Sequence, residues 1–216
     1  MGTAAVKTIT PGKREQQKEA RRIAIIDAAL EEFTAQGFTA TKLDDVAVRA
    51  GIGKGTIYLY FDSKESLFEE VVRRNLFPGR DLAMKNFDEF EGTASEQLSY
   101  HFRNMYAFMQ NEKIAPLCAM VMGEAIRFPE LSRFFYNEMI SKSKPIIRGI
   151  IQRGIKSGEF RPTAEKVYNQ MLIAPVMIGS LWNLQFGEME LVDMQNYAEE
   201  HIDFMLRALK SEPSDI

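Results

Sequence analysis

Residues 41–61 constrain this chain more than any other stretch. They read Thr-Lys-Leu-Asp-Asp-Val-Ala-Val-Arg-Ala-Gly-Ile-Gly-Lys-Gly-Thr-Ile-Tyr-Leu-Tyr-Phe. Val46, Ala47 and Ala50 give the first part a small apolar face at helical spacing, and Ala47 lets a second helix approach closely. Gly51 supplies the positive φ that a sharp turn needs. Ile52 is placed to plug the corner, and Ile57 and Phe61 to hold the second helix to a core. The stretch therefore predicts a short helix, a tight turn and a second short helix, Lys54 to Phe61. Lys54, Gly55, Thr56, Tyr58 and Tyr60 are left pointing outward. A plain helical hairpin accounts for the turn. It does not account for two tyrosines and a lysine on the outer face, downstream of a basic segment. Such a face suits a groove: hydroxyls and ammonium bond phosphates, while rings and glycine meet base edges.

The rest of the chain reads as helix after helix, with no alternation of period two long enough for a strand. Ile23, Ile26, Leu30 and Phe33 mark a first helix, about Glu19 to Ala35, which Gly37 ends. The second helix is expected to start at Thr41 with a capping-box-like hydroxyl, and the fourth to run from Asp62 to Phe77 and break at Pro78-Gly79. Five more are expected: Ala94 to Gln110, Lys113 to Ile126, Pro129 to Lys156, Thr163 to Phe186 and Asp193 to Lys210. Pro145 is expected to kink the third of these near Ser141. The fold class is all-α with about nine helices.

Charge is unevenly spread. Residues 1–80 hold 13 Lys+Arg against 11 Asp+Glu, whereas residues 81–216 hold 14 against 19. Residues 1–22 alone carry a net +4, a basic arm that suggests a polyanion partner or a solvated tail. The longest near-apolar run, Met171 to Leu184, falls short of the roughly 18–20 residues of a membrane span. One cysteine, Cys118, makes no internal disulfide, and no secretory signal pattern opens the chain, so a cytoplasmic location is expected. Nothing in the sequence points to an enzyme. His101 and His201 lie in no metal-binding spacing, and there is no nucleophile elbow or dinucleotide fingerprint. Gly51-Ile52-Gly53-Lys54-Gly55-Thr56 lacks the order and the preceding strand of a phosphate loop. No cofactor or metal is expected.

Ala50 to Phe61, followed by Ser63-Lys64-Glu65-Ser66-Leu67-Phe68, is similar to the DNA-binding signature of the TetR family of bacterial transcriptional regulators. Ile25 to Phe33, with Gly37-Phe38 and Thr41, resembles the family's first helix. The resemblance implies a three-helix DNA-binding domain over residues 21–68, after a flexible basic arm over 1–20. A ligand-binding and dimerising helical domain follows over 69–210, then a tail over 211–216. It implies that Lys54, Gly55, Thr56, Tyr58 and Tyr60 face the major groove or its flanking phosphates. Thr41, Lys42 and Lys64 would meet backbone phosphate, and the arm a neighbouring minor groove. Gly53 stands where the family often has Ser or Thr and offers only its backbone N–H. The implied partners are operator DNA, a second copy of the chain and a small molecule.

The middle helices are rich in Met and aromatic residues, which favours a pocket for an apolar or aromatic ligand. The candidate lining is Phe102, Met105, Tyr106, Met109, Met120, Glu124, Phe135, Met139, Met177 and Trp182. Ordinary core packing is the alternative for most of these. Ala174, Ile178 and Leu181 on one late helix, with Ile202, Met205 and Leu209 on the next, are the candidate dimer seam. A ligand-independent regulator, an activator, and a helical interaction module without specific DNA binding stay open.

Overall fold

The computed structural model describes residues 12–211. Its helices are α1 (Lys13–Ala40), α2 (Leu43–Arg49), α3 (Lys54–Ile57), α4 (Lys64–Glu89) and α5 (Ala94–Met109), then α6 (Ile114–Glu124), α7 (Pro129–Phe135), α8 (Ser141–Ser157), α9 (Asn169–Phe186) and α10 (Met194–Leu209). Among the described residues the one departure toward β structure is a single antiparallel bridge, Phe160 to Lys210. The chain divides into two compact units, 1–71 and 72–216, with the division inside α4 rather than at residue 68.

The first unit is a small aromatic core wrapped by α1, α2, α3 and the start of α4. Phe33, Phe38 and Phe68 meet with ring centroids 5.6, 5.8 and 5.3 Å apart, two of the three contacts edge-to-face. Ile25, Ile26, Leu30, Val46, Ile57 and Leu67 close around them and are buried. Helix α1 begins earlier than the apolar pattern suggested. Its first turns, residues 13–20, are exposed and helical, so they are not a flexible arm; residues 1–11 lie outside the described residues. Gly37 interrupts α1 at φ 79°, ψ 163°, a positive-φ conformation open to glycine but not the αL of a usual helix cap, and a short helical stretch resumes after it.

The second unit packs α5 against α8, α9 and α10, with α6 alongside α9. A capping box, Thr93 with Glu96, opens α5. The Glu159 carboxylate, from the turn after α8, also accepts from the Ala94 and Ser95 amides, each at 3.0 Å. Burial works against its charge, but these amide hydrogen bonds hold its pKa below the ordinary value.

Two expected boundaries moved. Helix α4 does not break at Pro78-Gly79 but runs on to Glu89. Gly79 is there for close packing: a Cβ would stand 2.7 Å from Phe108 Cε2. The helix expected from Pro129 to Lys156 runs without a break but carries a π turn over Tyr136–Ile140, so α7 and α8 are its two halves. The distortion lies beside Ser141, where it was expected: Ser141 N–H reaches back to Tyr136 O. Residues 162–166 form a separate 3-10 turn, so α9 starts at Asn169 rather than Thr163.

Candidate nucleic-acid interface

Helices α2 and α3 are joined by Ala50-Gly51-Ile52-Gly53, with Gly51 at φ +66°. Ile52 N–H donates to Ala47 O at 3.0 Å and Gly51 N–H to Val48 O at 3.1 Å, which locks the turn. Val46, Ala47, Ile57 and Phe61 are buried beneath it. The second helix is shorter than its pattern: α3 ends at Ile57, and residues 58–60 continue as tightened turns, Leu59 N–H to Thr56 O and Tyr60 N–H to Ile57 O. The alternation of buried Ile57 and Phe61 with outward residues survives this, because Phe61 N–H still donates to Ile57 O at 3.0 Å.

Lys42, Gly53, Lys54, Gly55 and Tyr58 are exposed, and Thr56 and Tyr60 half-buried. A Cβ on Gly55 would meet nothing within 4 Å, so this point of the surface is open for close approach. Val48 and Leu59, 79% and 77% exposed, share the helix-turn-helix surface. Sequence reasoning singled out neither. They break the buried periodicity, which was the available signal, and they can meet thymine methyls.

Two expected phosphate contacts are otherwise engaged. Thr41 is buried, and its hydroxyl donates to Gly37 O at 2.8 Å and Glu32 O at 3.2 Å on α1. It therefore does not cap α2; Lys42 holds that position without a side-chain bond. Lys64 Nζ donates to Phe38 O at 2.7 Å, Thr41 O at 2.9 Å and Thr39 O at 3.2 Å, and lies 4.6 Å from the Phe38 ring centroid. Its three donors are spent on the C-terminal end of α1, which has no basic residue in its own last turn. Lys64→Met should therefore cost about 2 kcal/mol of folding stability, since hydrogen bonds to charged groups contribute roughly 1.5–3 kcal/mol. Urea unfolding measures this. Unchanged stability with weakened DNA binding would return Lys64 to the phosphate role.

Charge on this face is arranged in pairs. Arg49 Nε donates to the buried Glu32 at 2.5 Å and its Nη1 to Glu31 at 2.9 Å, fastening α2 to α1. Lys54 Nζ donates to Asp44 Oδ2 at 2.5 Å, and this bond raises the lysine pKa above its ordinary value.

Comparison with known proteins decides the family. The family described as "Bacterial regulatory proteins, tetR family" matches residues 25–71, and "AefR-like transcriptional repressor, C-terminal domain" matches residues 96–209. The chain belongs to the TetR family. This TetR-family protein is 32% identical over 146 residues to the uncharacterised regulator YhgD of Bacillus subtilis, covering 66% of this chain and 73% of that one. It is 27% identical over 206 residues to the transcriptional repressor KstR2 of Rhodococcus jostii, covering 94% and 98%. Its fold matches the crystal structure of FadR from Bacillus subtilis in complex with stearoyl-CoA, with TM-score 0.71, 22% identity and coverage of 87% and 98%. The TetR-family protein is thus a DNA-binding helix-turn-helix transcriptional regulator.

In its second unit, the candidate pocket residues divide. Phe102, Tyr106, Met109 and Met120 are buried core. Met105, Glu124, Phe135, Met139 and Met177 are half-buried, and Glu124 already has a partner in the protein. Trp182 is 38% exposed beside Phe186, ring centroids 4.9 Å apart, on an outer stripe rather than facing inward. The recess lined by Arg148, Ile151, Gln152, Glu165, Val167 and Asn169 takes in none of the ten.

The candidate dimer seam divides too. On α9, Ala174 and Ile178 are exposed and Leu181 half-buried, as a seam requires. On α10, Ile202, Met205 and Leu209 are 3%, 2% and 1% exposed within this one chain, so they belong to its own core and not to a seam. Phe204, 74% exposed, is the apolar residue that α10 leaves outside.

Proposed function

We propose that this TetR-family protein is a homodimeric repressor, released from a palindromic operator by an apolar or aromatic small molecule and working in the cytoplasm. One observation carries the DNA reading: Lys54, Gly55 and Tyr58 stand exposed on a segment anchored by the buried Ile57 and Phe61. A recognition helix needs this division, an outer face free for base edges and an inner face fixed to a core. Repression is supported by the naming of KstR2 as a repressor.

Helix α9 supports the dimer. Between Met171 and Leu184 it is largely apolar, and Met171 and Ile178 are 68% and 56% exposed. Trp182, Phe186 and, on α10, Phe204 extend this unpartnered surface. A second copy covering it gives the two-fold protein that a palindrome needs. The ligand class is supported by the half-buried Met105, Phe135, Met139 and Met177, and by the stearoyl-CoA bound to FadR. Among the described residues no helix is long and apolar enough to cross a membrane.

The test is a titration of the protein into the DNA flanking its own gene at several salt concentrations. Tight binding to one near-palindrome, weakening linearly in log affinity with log salt, is the expected result. Long-chain acyl-CoAs and aromatic compounds are then added; release of the DNA by one class identifies the ligand. Binding no tighter than to random duplex overturns the DNA reading. Equal affinity of every compound for free and DNA-bound protein overturns release by ligand.

A further inference from the structure

Two polar side chains on one face of α5 lack the hydrogen bonds that their surroundings call for. Gln97 is 3% exposed, and its Nε2 donates to Phe87 O on α4 at 2.9 Å. That bond fixes the amide the right way round, because a flipped amide would set two oxygens against each other. Oε1 is left buried with no partner, which costs free energy unless another group donates to it. His101 lies one turn further along α5, and no hydrogen bond from the described residues reaches its ring. Burial alone lowers its pKa, to about 4, so the imidazole is uncharged at neutral pH. Protein surrounds the ring closely enough to desolvate it, yet the residue is half-buried rather than sealed. Open space beside the ring accounts for both. Gln97, His101 and Met105 recur every four residues and so share one face of the helix. That face runs along α4: Gln97 reaches Phe87 at one end, and the Phe108 ring lies against Gly79 at the other. The stretch of α5 from Gln97 to Phe108 is about 16 Å long at 1.5 Å per residue.

We propose that Gln97 Oε1 and the His101 ring form the polar end of the ligand site and hold the hydroxyl group of an otherwise apolar ligand. This deepens the reading of the protein as one released by a small molecule, and rests on it. Cβ atoms one turn apart on a helix are about 5–6 Å apart, a gap that one oxygen atom spans. A hydroxyl donates to Oε1 and accepts from the imidazole N–H, so one atom satisfies both groups. A carboxylate has no proton for Oε1, and the uncharged imidazole gives it no countercharge. An ammonium brings into a desolvated site a charge that neither group pairs. The half-buried Met105, next on the same face, suits the apolar remainder of such a ligand.

The experiment titrates the full chain, its methionine methyl groups labelled for NMR, with two matched pairs of probes: para-butylphenol against butylbenzene, and heptanol against heptane. Wild type, His101→Phe and Gln97→Met are compared. In wild type each hydroxyl compound should bind about tenfold tighter than its hydrocarbon, since both of its hydrogen bonds go to groups that otherwise have none. The Met105 methyl signal should move with binding. In each variant the advantage of the hydroxyl should fall to about twofold or less, while the hydrocarbon binds as before. A residue that only shaped the core would change both members of a pair alike. Gln97→Met also removes the bond to Phe87 O and so carries a risk to the fold; His101→Phe removes no hydrogen bond within the protein and keeps the test readable. Hydrocarbons that bind wild type as tightly as their hydroxyl partners overturn the inference. So does a hydroxyl advantage that survives in His101→Phe, or binding that leaves Met105 unmoved. If none of the four compounds binds, this inference fails alone, because release of the operator by another compound would still uphold the ligand reading.

Discussion

Tyr58→Ala should weaken operator binding about 100-fold in the dimer while leaving the fold intact. Tyr58 is 50% exposed and sits at the C-terminal end of α3, with the buried Ile57 immediately before it. Removing an exposed side chain away from caps and cores changes stability by about 0.5 kcal/mol or less. Removing one that touches base edges costs about 1–3 kcal/mol per site, and a two-fold protein loses it twice. The ring carries no charge, so the salt slope should stay at the wild-type value while the affinity falls. Fluorescence anisotropy with an operator duplex, beside urea unfolding of the same sample, separates the two effects. Undiminished affinity would show that α3 does not read the groove.

Acid should destabilise this protein before its carboxylates titrate. His101 is half-buried on α5, its ring 5.6 Å from that of Phe102, and desolvation pushes its pKa down to about 4. The His201 ring on α10 is 5.5 Å from that of Phe102, and its Nδ1 is 3.0 Å from the Tyr106 hydroxyl; burial lowers its pKa too. A histidine whose folded pKa is depressed contributes nothing to pH dependence above its unfolded value, about 6.5. As pH falls below that value the unfolded chain takes up the proton and the folded chain does not. Stability is therefore lost progressively until about pH 4, where the folded state protonates as well. At about pH 5 the loss from His101 is about 2 kcal/mol, at 1.36 kcal/mol per tenfold change in proton affinity. Glu96, Glu138, Glu159 and Glu199, with pKa values held below the ordinary 4.5, withdraw their support only at lower pH. Urea unfolding at about pH 7.5 and about pH 5 should show a drop in wild type that His101→Gln reduces. An identical drop in the two proteins would place the acid sensitivity elsewhere.

The helix-turn-helix was legible because local chemistry decides it. Gly51 is required by its φ, Ala47 by close approach, and the spacing of Val46, Ile57 and Phe61 by a buried face. Side chains whose partners come from distant parts of the chain were not legible. Lys64 reads as a cation at a helix start, yet it serves the end of α1 some 25 residues earlier. Thr41 reads as a cap, yet its hydroxyl faces α1 because α2 starts one residue later than the pattern suggests. Pro78-Gly79 reads as a break, yet α4 continues through it, and Gly79 serves instead to let Phe108 pack close.

The sequence by itself determined the all-helical class, the turn at Gly51 and the outward-facing Lys54, Gly55 and Tyr58. These follow from periodicity and φ, which act over a few residues. Only the tertiary structure decided which apolar stripe of the last two helices is core and which is surface. Met194, Ala198, Ile202, Met205 and Leu209 form one such stripe and face α5 and α9, while Ile178, Trp182 and Phe204 are left outside. An apolar face records that burial is favourable, not against what. Burial is non-directional and scales with area, so the choice between a chain's own core and a second copy is made by packing. The same reason hid the partner of Lys54. Charge is visible in a sequence, but whether a lysine meets a carboxylate or a phosphate depends on a 2.5 Å approach between two helices that only the fold brings together.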